Sequence, residues 1–325
     1  MTKNIVVVGN SLLSVLMCRE IGKRLGPRVD YNLTYFTDSP EIVNPHLVSL
    51  FGKLDKLDKS EILQESEVKV GQVKSVNLRE KRLITTQGVQ EFDYLIIDQT
   101  PYFSAQYLTS IREQLVNLFA AMSAQENIGK QPTSKVAVGG DSAIFWQLGL
   151  AIKRDAILHK VRRLSVELIT PNDSEVEGFL KLNGLELRNS PSDLPGLHIK
   201  PEPSPVDLTK VKGLKLGEKH PLVDQYHRSL TCKDLMIVRS DDMRLINLIS
   251  VTRAMAKRFA WNVLNDLNEE PITKREADLT RAAQLIGIKQ SRLWLDKYSS
   301  RLVRVGLVKS WEKFLWQSLK NRVKN

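Results

Sequence analysis

The sequence predicts an α/β fold with doubly wound parallel sheets and a helical C-terminal tail. Three observations favour it. A strand, a tight turn, a helix and a second strand follow one another within residues 4–36, and the same succession returns within residues 136–169. Residues 275–324 instead carry apolar side chains at helical spacing. The two strand–helix–strand units indicate a weak internal repeat.

The first unit is well defined by its residue types. Residues 5–8 are apolar and β-branched, as in a strand that a parallel sheet buries on both faces. Residues 9–11 form a turn, and residues 12–25 place apolar side chains at helical spacing. A Gly-Pro pair then ends the helix, because glycine is favoured past the last turn and proline cannot continue it. Residues 33–36 supply the second strand.

The chain between the two units predicts three kinds of element. Residues 55–65 are polar and read as a helix, whereas the alternating segments from 68 to 85 predict strands with a hairpin turn at Gln87-Gly88. Residues 92–98 form a strongly apolar strand, and a long helix over 105–124 follows it.

The second unit repeats the pattern of the first. Residues 136–138 and 164–169 are its strands, and a helix over 143–153 lies between them after the turn at 139–142. Residues 189–221 are rich in Pro, Gly and Ser and predict an irregular connection. The remaining predicted elements are a strand over 235–238 and helices over 245–267 and 275–324.

Length and composition exclude several classes of protein. A chain of 325 residues with 42% hydrophobic residues predicts two or more domains with sizeable cores. Cys18 and Cys232 lie far apart and form no CxxC pair, and the five histidines show no metal-ligand spacing. We therefore expect no disulfide framework and no metal site, in a reducing compartment.

The apolar segments also bear on location. The first apolar run is too short for a signal peptide, and no stretch approaches the roughly 18–20 residues that span a bilayer. The sequence therefore predicts a cytoplasmic protein.

Charge is concentrated at the C-terminal end. The net charge is +11, and residues 281–325 hold eleven Lys and Arg residues but two acids. Such asymmetry indicates an anionic partner, either a membrane surface or a nucleic acid. No nucleic-acid-binding motif accompanies the charge, so we expect no nucleic acid.

The tail also has an amphipathic pattern. Apolar residues recur at spacings of three and four, with tryptophans among them, and lysines fall mostly on the rest of the helix. This pattern is typical of an interfacial membrane helix. The same face equally fits packing on the globular body or on a second copy of the chain, as in a homodimer. The residues concerned are Trp311, Phe314, Leu315 and Trp316, with Lys309, Lys313 and Lys320.

The order of segments resembles the FAD-dependent pyridine nucleotide-disulfide oxidoreductases, most closely type II NADH dehydrogenases. Four stretches carry the likeness, at residues 4–14, 70–97, 136–143 and 223–267. The first and third stand where the family has GxGxxG turns. The second matches the family's hairpin and its strand before an Ala-Thr-Gly turn, and the fourth its last strand and helix. The resemblance implies a Rossmann-like FAD/NAD(P)-binding scaffold.

Both glycine motifs depart from the family pattern. The three glycine places hold Gly9, Ser11 and Ser14 in the first turn. The second and third glycines let the backbone approach the pyrophosphate and the helix pack close, so small residues can still serve there. In the second turn, Asp141 places a carboxylate beside the phosphates, and Ile144 holds the helix away. If one dinucleotide binds, we expect FAD at the first turn.

The resemblance implies cofactor contacts but no catalytic side chains, because the cofactor supplies the chemistry. Thr37 and Asp38 stand where the family grips the ribose, Thr100 lies in the replaced Ala-Thr-Gly turn, and Ser240-Asp241 stands for the late Gly-Asp. The full predicted cofactor-binding set is Gly9, Asn10, Ser11, Leu12, Ser14, Thr37, Asp38, Thr100, Gly139, Gly140, Ser240 and Asp241.

The resemblance also implies a domain plan and a function. We expect an FAD-type domain from residues 1–125 and 215–270, a reduced NAD(P)H-type domain at 130–205, and a basic amphipathic tail at 275–325. The implied function is that of a flavoprotein on the inner face of the cell membrane that passes hydride from NADH to FAD and electrons to a quinone. The alternative is a catalytically inactive pseudoenzyme of the same fold, acting as a binding or membrane-adaptor module.

Overall fold

The computed structural model describes residues 2–25, 30–43, 54–130, 133–140, 143–169, 184–200, 202, 204–217, 221–238, 249–270, 272 and 314–321. Its helices are α1 (Leu12–Leu25), α2 (Lys59–Ile62), α3 (Ala105–Asn127), α4 (Ala143–Leu158) and α5 (Ile249–Leu267), with a 3-10 turn at Leu208–Lys210 and helical residues 314–321. Among these described helices, none is long and apolar enough to cross a bilayer.

The strands number fifteen in the described part of the chain. They are β1 (Lys3–Val8), β2 (Tyr31–Thr37), β3 (Glu41–Val43), β4 (Lys56–Asp58), β5 (Glu67–Val70), β6 (Val73–Asn77), β7 (Arg82–Thr85), β8 (Gly88–Glu91), β9 (Tyr94–Asp98), β10 (Ser134–Gly139), β11 (Leu164–Ile169), β12 (Glu186–Arg188), β13 (Gly196–Ile199), β14 (Val211–Lys212) and β15 (Leu235–Val238).

The chain divides into two compact units. The first holds Met1–Ile42, Leu57–Tyr102 and Pro203–Thr280, and the second holds Val43–Lys56, Phe103–Glu202 and Arg281–Asn325. Helix α3 belongs to the second unit.

The first unit is built on a parallel sheet. Its strand order is β15-β9-β1-β2-β5, and every neighbouring pair is parallel. Val8 at the end of β1 is in register with Phe36 of β2 and Ile97 of β9. The carboxyl ends of the three central strands therefore meet at one edge, where ligands bind in open α/β sheets.

Two further layers cover this sheet. The four-stranded sheet β14-β6-β7-β8 shares an apolar core with one face of the parallel sheet, through residues such as Val6, Phe36 and Val76. Helices α1 and α5 pack against each other, and both bury apolar residues such as Met17 and Phe259. Strands with Val, Ile and Leu on both faces need this double cover.

The second unit carries a smaller parallel sheet in the order β12-β11-β10-β13. Helix α4 packs on β10 and β11, and α3 packs on β13. Ser104 caps the N-terminus of helix α3, and its hydroxyl accepts a hydrogen bond from the Tyr107 backbone amide at 3.1 Å. The predicted α/β class with parallel, Rossmann-like sheets is confirmed.

Two local predictions were wrong. Residues 55–65 form β4 and the short helix α2 rather than one helix, because the Asp58 carboxylate caps the chain at the Ser60 amide and the helix ends at Leu63. The connection at 189–221 contains β13, which the surrounding prolines and glycines concealed. The start of the predicted 245–267 helix and residues 275–313 of the tail lie outside the described residues.

Candidate functional site

The turn after β1 lies at the carboxyl edge of the first parallel sheet. Gly9 continues the sheet register, since its backbone amide donates to the Phe36 carbonyl at 3.0 Å. Asn10, Ser11 and Ser14 are all buried, and so is Leu12 at the start of α1. The edge therefore brings together seven of the predicted cofactor-binding residues: Gly9, Asn10, Ser11, Leu12, Ser14, Thr37 and Thr100.

Ser11 caps helix α1 with its own side chain. Its Oγ accepts hydrogen bonds from the backbone amides of Leu13 at 3.1 Å and Ser14 at 3.3 Å. Such amides at a helix start are the donors that hold a pyrophosphate in dinucleotide-binding folds. In this chain an N-cap serine already satisfies them.

The Ser11 hydroxyl also donates to the carboxylate of Asp98, the last residue of β9. Asp98 is buried and accepts two further hydrogen bonds from Thr100, one from its hydroxyl and one from its backbone amide at 2.9 Å. Burial raises the pKa of Asp98, and the hydrogen bonds from Ser11 and Thr100 oppose that rise. A carboxyl group thus lies beside the helix start.

Glycine is required at position 9 because the folded structure leaves no space for a side chain there. A Cβ at this position would lie 2.4 Å from Ser14 Oγ and 2.9 Å from Asp98 Cβ. Ser14 Oγ donates to the Ser11 carbonyl at 3.0 Å, and the Tyr35 hydroxyl donates to the Gly9 carbonyl at 2.7 Å. The retained glycine therefore has a packing reason that does not involve a dinucleotide.

The end of β2 holds a second buried polar group. Thr37 donates from its hydroxyl to Asn10 Oδ1 at 2.6 Å, and the Lys59 ammonium donates to Thr37 Oγ1 and to the Ser39 carbonyl, each at 2.7 Å. Lys59 is fully buried. Burial lowers its pKa to about 7, although the charges of Asp38, Asp98 and Asp58 act to raise it.

Asp38 lies at the edge of this cluster, next to the position where the family grips a ribose. It is exposed, and its carboxylate accepts from the Tyr102 hydroxyl at 3.2 Å. Its backbone amide donates to Asn10 Oδ1 at 3.2 Å. The predicted ribose acid therefore has an intramolecular partner.

The residues at the first turn do not fit a pyrophosphate in this arrangement. The helix-start amides of Leu13 and Ser14 are bonded to Ser11, and the Asp98 carboxylate would repel a phosphate. One buried donor in the described cluster lacks a partner, Asn10 Nδ2. A single amide donor does not compensate for the neighbouring carboxyl group.

The second turn is filled in a different way. Gly140 adopts a left-handed conformation with φ of +140°, and a Cβ there would lie 2.0 Å from the Phe145 ring. Phe145 is buried and meets the Phe103 ring edge-on at 5.6 Å. The Phe145 ring of α4 therefore lies against the backbone of Gly140 and leaves no space for a side chain there. By contrast, the nearest atoms to a Cβ at Gly139 are 3.7 Å away.

Several predicted residues lie outside the part of the chain that the structure describes. Ser240 and Asp241 lie outside the described residues, as do Asp141, Trp311, Lys309 and Lys313. Sequence reasoning missed Lys59, because no motif marks a lysine that is remote in sequence from the first turn. Asp98 was visible as a departure from the Ala-Thr-Gly pattern, but its bond to Ser11 was not.

Residues 314–321 are the described part of the tail, and they are helical. Trp316 is 1% exposed, and Leu315 and Leu319 are also buried, whereas Phe314 is 63% exposed. The Lys320 ammonium donates to the Asp55 carboxylate within the second unit. Most of the apolar face of this segment is therefore covered by protein.

Comparison with known proteins gives a fold but no family. No protein-family model and no curated protein matches the sequence. The fold is shared with many solved structures, among which are the following three. The sulfide:quinone oxidoreductase of Aquifex aeolicus has a TM-score of 0.59 at 14% identity, over 83% of this chain and 78% of that one.

Two further solved structures have a similar fold. Fdr9 has a TM-score of 0.53 at 15% identity, over 83% of this chain and 77% of that one. A chain of the mitochondrial ATP synthase of Tetrahymena thermophila has a TM-score of 0.55 at 12% identity, over 84% and 81%. These likenesses support a fold like that of the FAD-dependent pyridine nucleotide-disulfide oxidoreductases, without pointing to type II NADH dehydrogenase.

Proposed function

We propose that this chain is a cofactor-free member of the flavoprotein fold that acts as a binding module rather than as an oxidoreductase. The observation that supports this most directly is the Ser11–Asp98 hydrogen bond, which places a carboxylate at the helix start. An enzyme of this fold needs that position for a phosphate, because FAD performs the chemistry and the protein positions it.

Two further observations support a binding role. The Phe145 ring occupies the space that a side chain at Gly140 would need, so an aromatic side chain of the protein lies against the backbone of the second turn. In addition, one structure with the same fold is a chain of an ATP synthase, so the fold also occurs within a large assembly.

Flavin content tests this proposal. We expect the purified chain to be colourless, to release no flavin on denaturation, and to show no spectral change when FAD is added. Stoichiometric FAD in the purified protein, or saturable uptake of added FAD, would refute it. A Ser11→Gly/Asp98→Gly double variant is the informative partner, because it removes the cap and the carboxylate together. Its uptake of FAD would show that these two side chains exclude the cofactor.

The second candidate is a flavoprotein of the NAD(P)H:quinone oxidoreductase type. The observation in its favour is the similarity to a sulfide:quinone oxidoreductase over most of both chains. In this reading FAD lies at the first turn and accepts hydride from NADH, which requires Ser11 and Asp98 to rearrange. NADH-dependent reduction of a water-soluble quinone by the purified chain would favour this candidate over the first.

The C-terminal helix remains a proposed membrane contact under either reading. Because Leu315, Trp316 and Leu319 are buried, this face can reach a lipid surface only after residues 314–321 leave the body. Flotation of the chain with liposomes, compared with a chain cut before Arg275, tests the idea. Equal flotation of the two proteins would exclude the tail as the anchor.

A further inference from the structure

The amino-terminal edge of the second sheet gathers several chain connections. Strands β10, β11 and β13 are parallel and enter the sheet from the same side. The Ser134 amide donates to the Arg163 carbonyl at 3.4 Å, and its hydroxyl donates to the Pro195 carbonyl at 2.8 Å. The connections that lead into β10, β11 and β13 are therefore neighbours.

Large aliphatic side chains are exposed on two of these connections. Ile157 is 61% exposed and Leu158 67% exposed at the end of α4, and Ile128 is 68% exposed at the end of α3. Single exposed aliphatic residues are ordinary, but Ile157 and Leu158 are exposed side by side, and Ile128 is exposed on a connection to the same edge of the sheet.

The two helix ends hold these side chains outward. At the end of α4, the Lys160 amide donates to the Ile157 carbonyl at 3.1 Å and the Val161 amide to the Ala156 carbonyl at 2.9 Å. This pair of bonds is a Schellman motif, in which residues like Ala156 and Val161 pack together. Both are buried, so the last helical turn presents Ile157 and Leu158 to solvent.

Helix α3 ends in the same way. The Gly129 amide donates to the Glu126 carbonyl and the Lys130 amide to the Gln125 carbonyl, each at 3.0 Å. Gly129 has φ of +76°, the left-handed conformation that this motif requires. Ile128, which precedes it, is therefore fixed at the helix end rather than in a loose loop.

Exposed cations lie close to the aliphatic residues along the chain. Lys160, Arg162 and Arg163 are exposed next to Leu158, and Lys130 is exposed next to Ile128. No acid occurs between residues 156 and 163, and the adjacent Asp155 is buried in an ion pair with Arg154. The acids on the other two connections are the half-buried Glu126 and the exposed Asp193, so cations outnumber acids at this edge. Within the described part of the chain, none of these four cations forms an ion pair.

The backbone conformation of Lys160 is a second indication that this edge is a functional site. It has φ of +58°, a conformation in which glycine is favoured and a lysine costs stability. Residues held in unfavourable backbone conformations are found more often at functional sites than elsewhere. The lysine places its charge at the helix end, which a glycine would not do.

We propose that this surface docks on an anionic phospholipid membrane. We call it the basic aliphatic edge, and it consists of Ile128, Lys130, Ile157, Leu158, Lys160, Arg162 and Arg163. Separate aliphatic side chains set among cations match a lipid interface, where the aliphatic groups enter the acyl boundary and the cations meet the headgroups. A protein hot spot would instead be expected to have a compact aromatic centre. The inference goes beyond the binding module proposed above, because it does not depend on flavin or on the tail.

Liposome flotation of the full-length chain tests the proposal. We expect the wild-type protein to float with vesicles of equal parts phosphatidylcholine and phosphatidylserine and not with pure phosphatidylcholine. Each cation near the surface contributes about fivefold to binding, so Arg162→Gln/Arg163→Gln should weaken binding by about 25-fold. Ile157→Ser/Leu158→Ser should weaken it further at high salt, where the charges are screened.

Two control variants keep the test specific. Lys200→Gln removes one exposed lysine at the opposite, carboxyl edge of the same sheet and should weaken binding by less than about twofold. Lys160→Gly removes a charge from the edge while relieving the left-handed backbone, so binding should fall about fivefold in a protein at least as stable as wild type.

The outcomes that overturn the proposal are distinct. Equal flotation of wild type and the Arg162→Gln/Arg163→Gln variant would exclude this edge, whatever the flavin content. Failure of the wild-type chain to bind phosphatidylserine vesicles would exclude a lipid partner altogether and leave an acidic protein as the alternative.

Discussion

Ser11 Oγ donates a hydrogen bond to the Asp98 carboxylate and thereby joins the start of α1 to the end of β9. Both side chains are buried, and each has further partners within the same turn. In a dinucleotide-binding fold this position faces the pyrophosphate. The hydrogen bond therefore places a buried carboxyl group beside the position where the fold ordinarily holds a pyrophosphate.

Glycine at position 9 should be indispensable, whereas glycine at 139 should not. Gly9→Ala puts a methyl group 2.4 Å from Ser14 Oγ, so we expect a loss of about 1–3 kcal/mol in the free energy of unfolding. Gly139→Ala meets its nearest atoms at 3.7 Å and should cost less than about 0.5 kcal/mol. Urea unfolding of both variants measures the difference, and equal losses would contradict the packing argument.

Lys59 should make stability rise with pH above neutrality. Its pKa is about 7 in the folded chain, against 10.5 for the ordinary side chain. Between these two values the unfolded chain binds more protons, so the free energy of unfolding increases as pH rises through this window. The increase should be on the order of a few kcal/mol.

The Lys59→Met variant checks this titration. The wild-type chain should gain unfolding free energy between about pH 7 and about pH 9.5, a range that lies between the folded and unfolded pKa values of Lys59, and the variant should lose this increase. Lys74→Met is the matched control, because Lys74 is exposed. A control variant that flattens the pH profile as much as Lys59→Met would assign the effect to another group.

A buried hydroxyl should stabilise the C-terminal end of α5. The Tyr94 hydroxyl donates to Asp266 at 2.9 Å, and Arg228 pairs with the same carboxylate at 3.1 Å. Tyr94→Phe leaves one carboxylate oxygen without this donor and should cost about 1–2 kcal/mol. Tyr107→Phe removes an exposed hydrogen bond to the Lys200 carbonyl and should cost less. Denaturant unfolding of the two variants gives the comparison.

Two aromatic residues of the tail should contribute very different amounts to the free energy of unfolding. Trp316 is buried, so Trp316→Ala should cost about 3–5 kcal/mol through the cavity it leaves. Phe314→Ala, in the same turn, should cost less than about 1 kcal/mol, since Phe314 is largely exposed. Trp316→Phe should cost less than Trp316→Ala, because the phenyl ring keeps most of the buried apolar volume. Similar losses for Trp316→Ala and Phe314→Ala would show that this helix does not pack on the body.

The sequence by itself determined the α/β class and the two repeated units. Apolar β-branched runs such as residues 5–8 are typical of strands in parallel sheets that are covered on both faces, and this signal is local. It also located the turns at Gly9 and Gly139. It could not identify β13, because Pro195 and Gly196 mask its strand pattern.

Only the tertiary structure decided what fills those turns. Whether Ser11 faces a phosphate or a carboxylate depends on Asp98, and the charge of Lys59 depends on its burial at the end of β2. These groups are far apart in sequence and meet because parallel strands end at one edge. Hydrogen bonding and desolvation act over a few ångströms, so their outcome follows from the folded contacts and not from the order of residues.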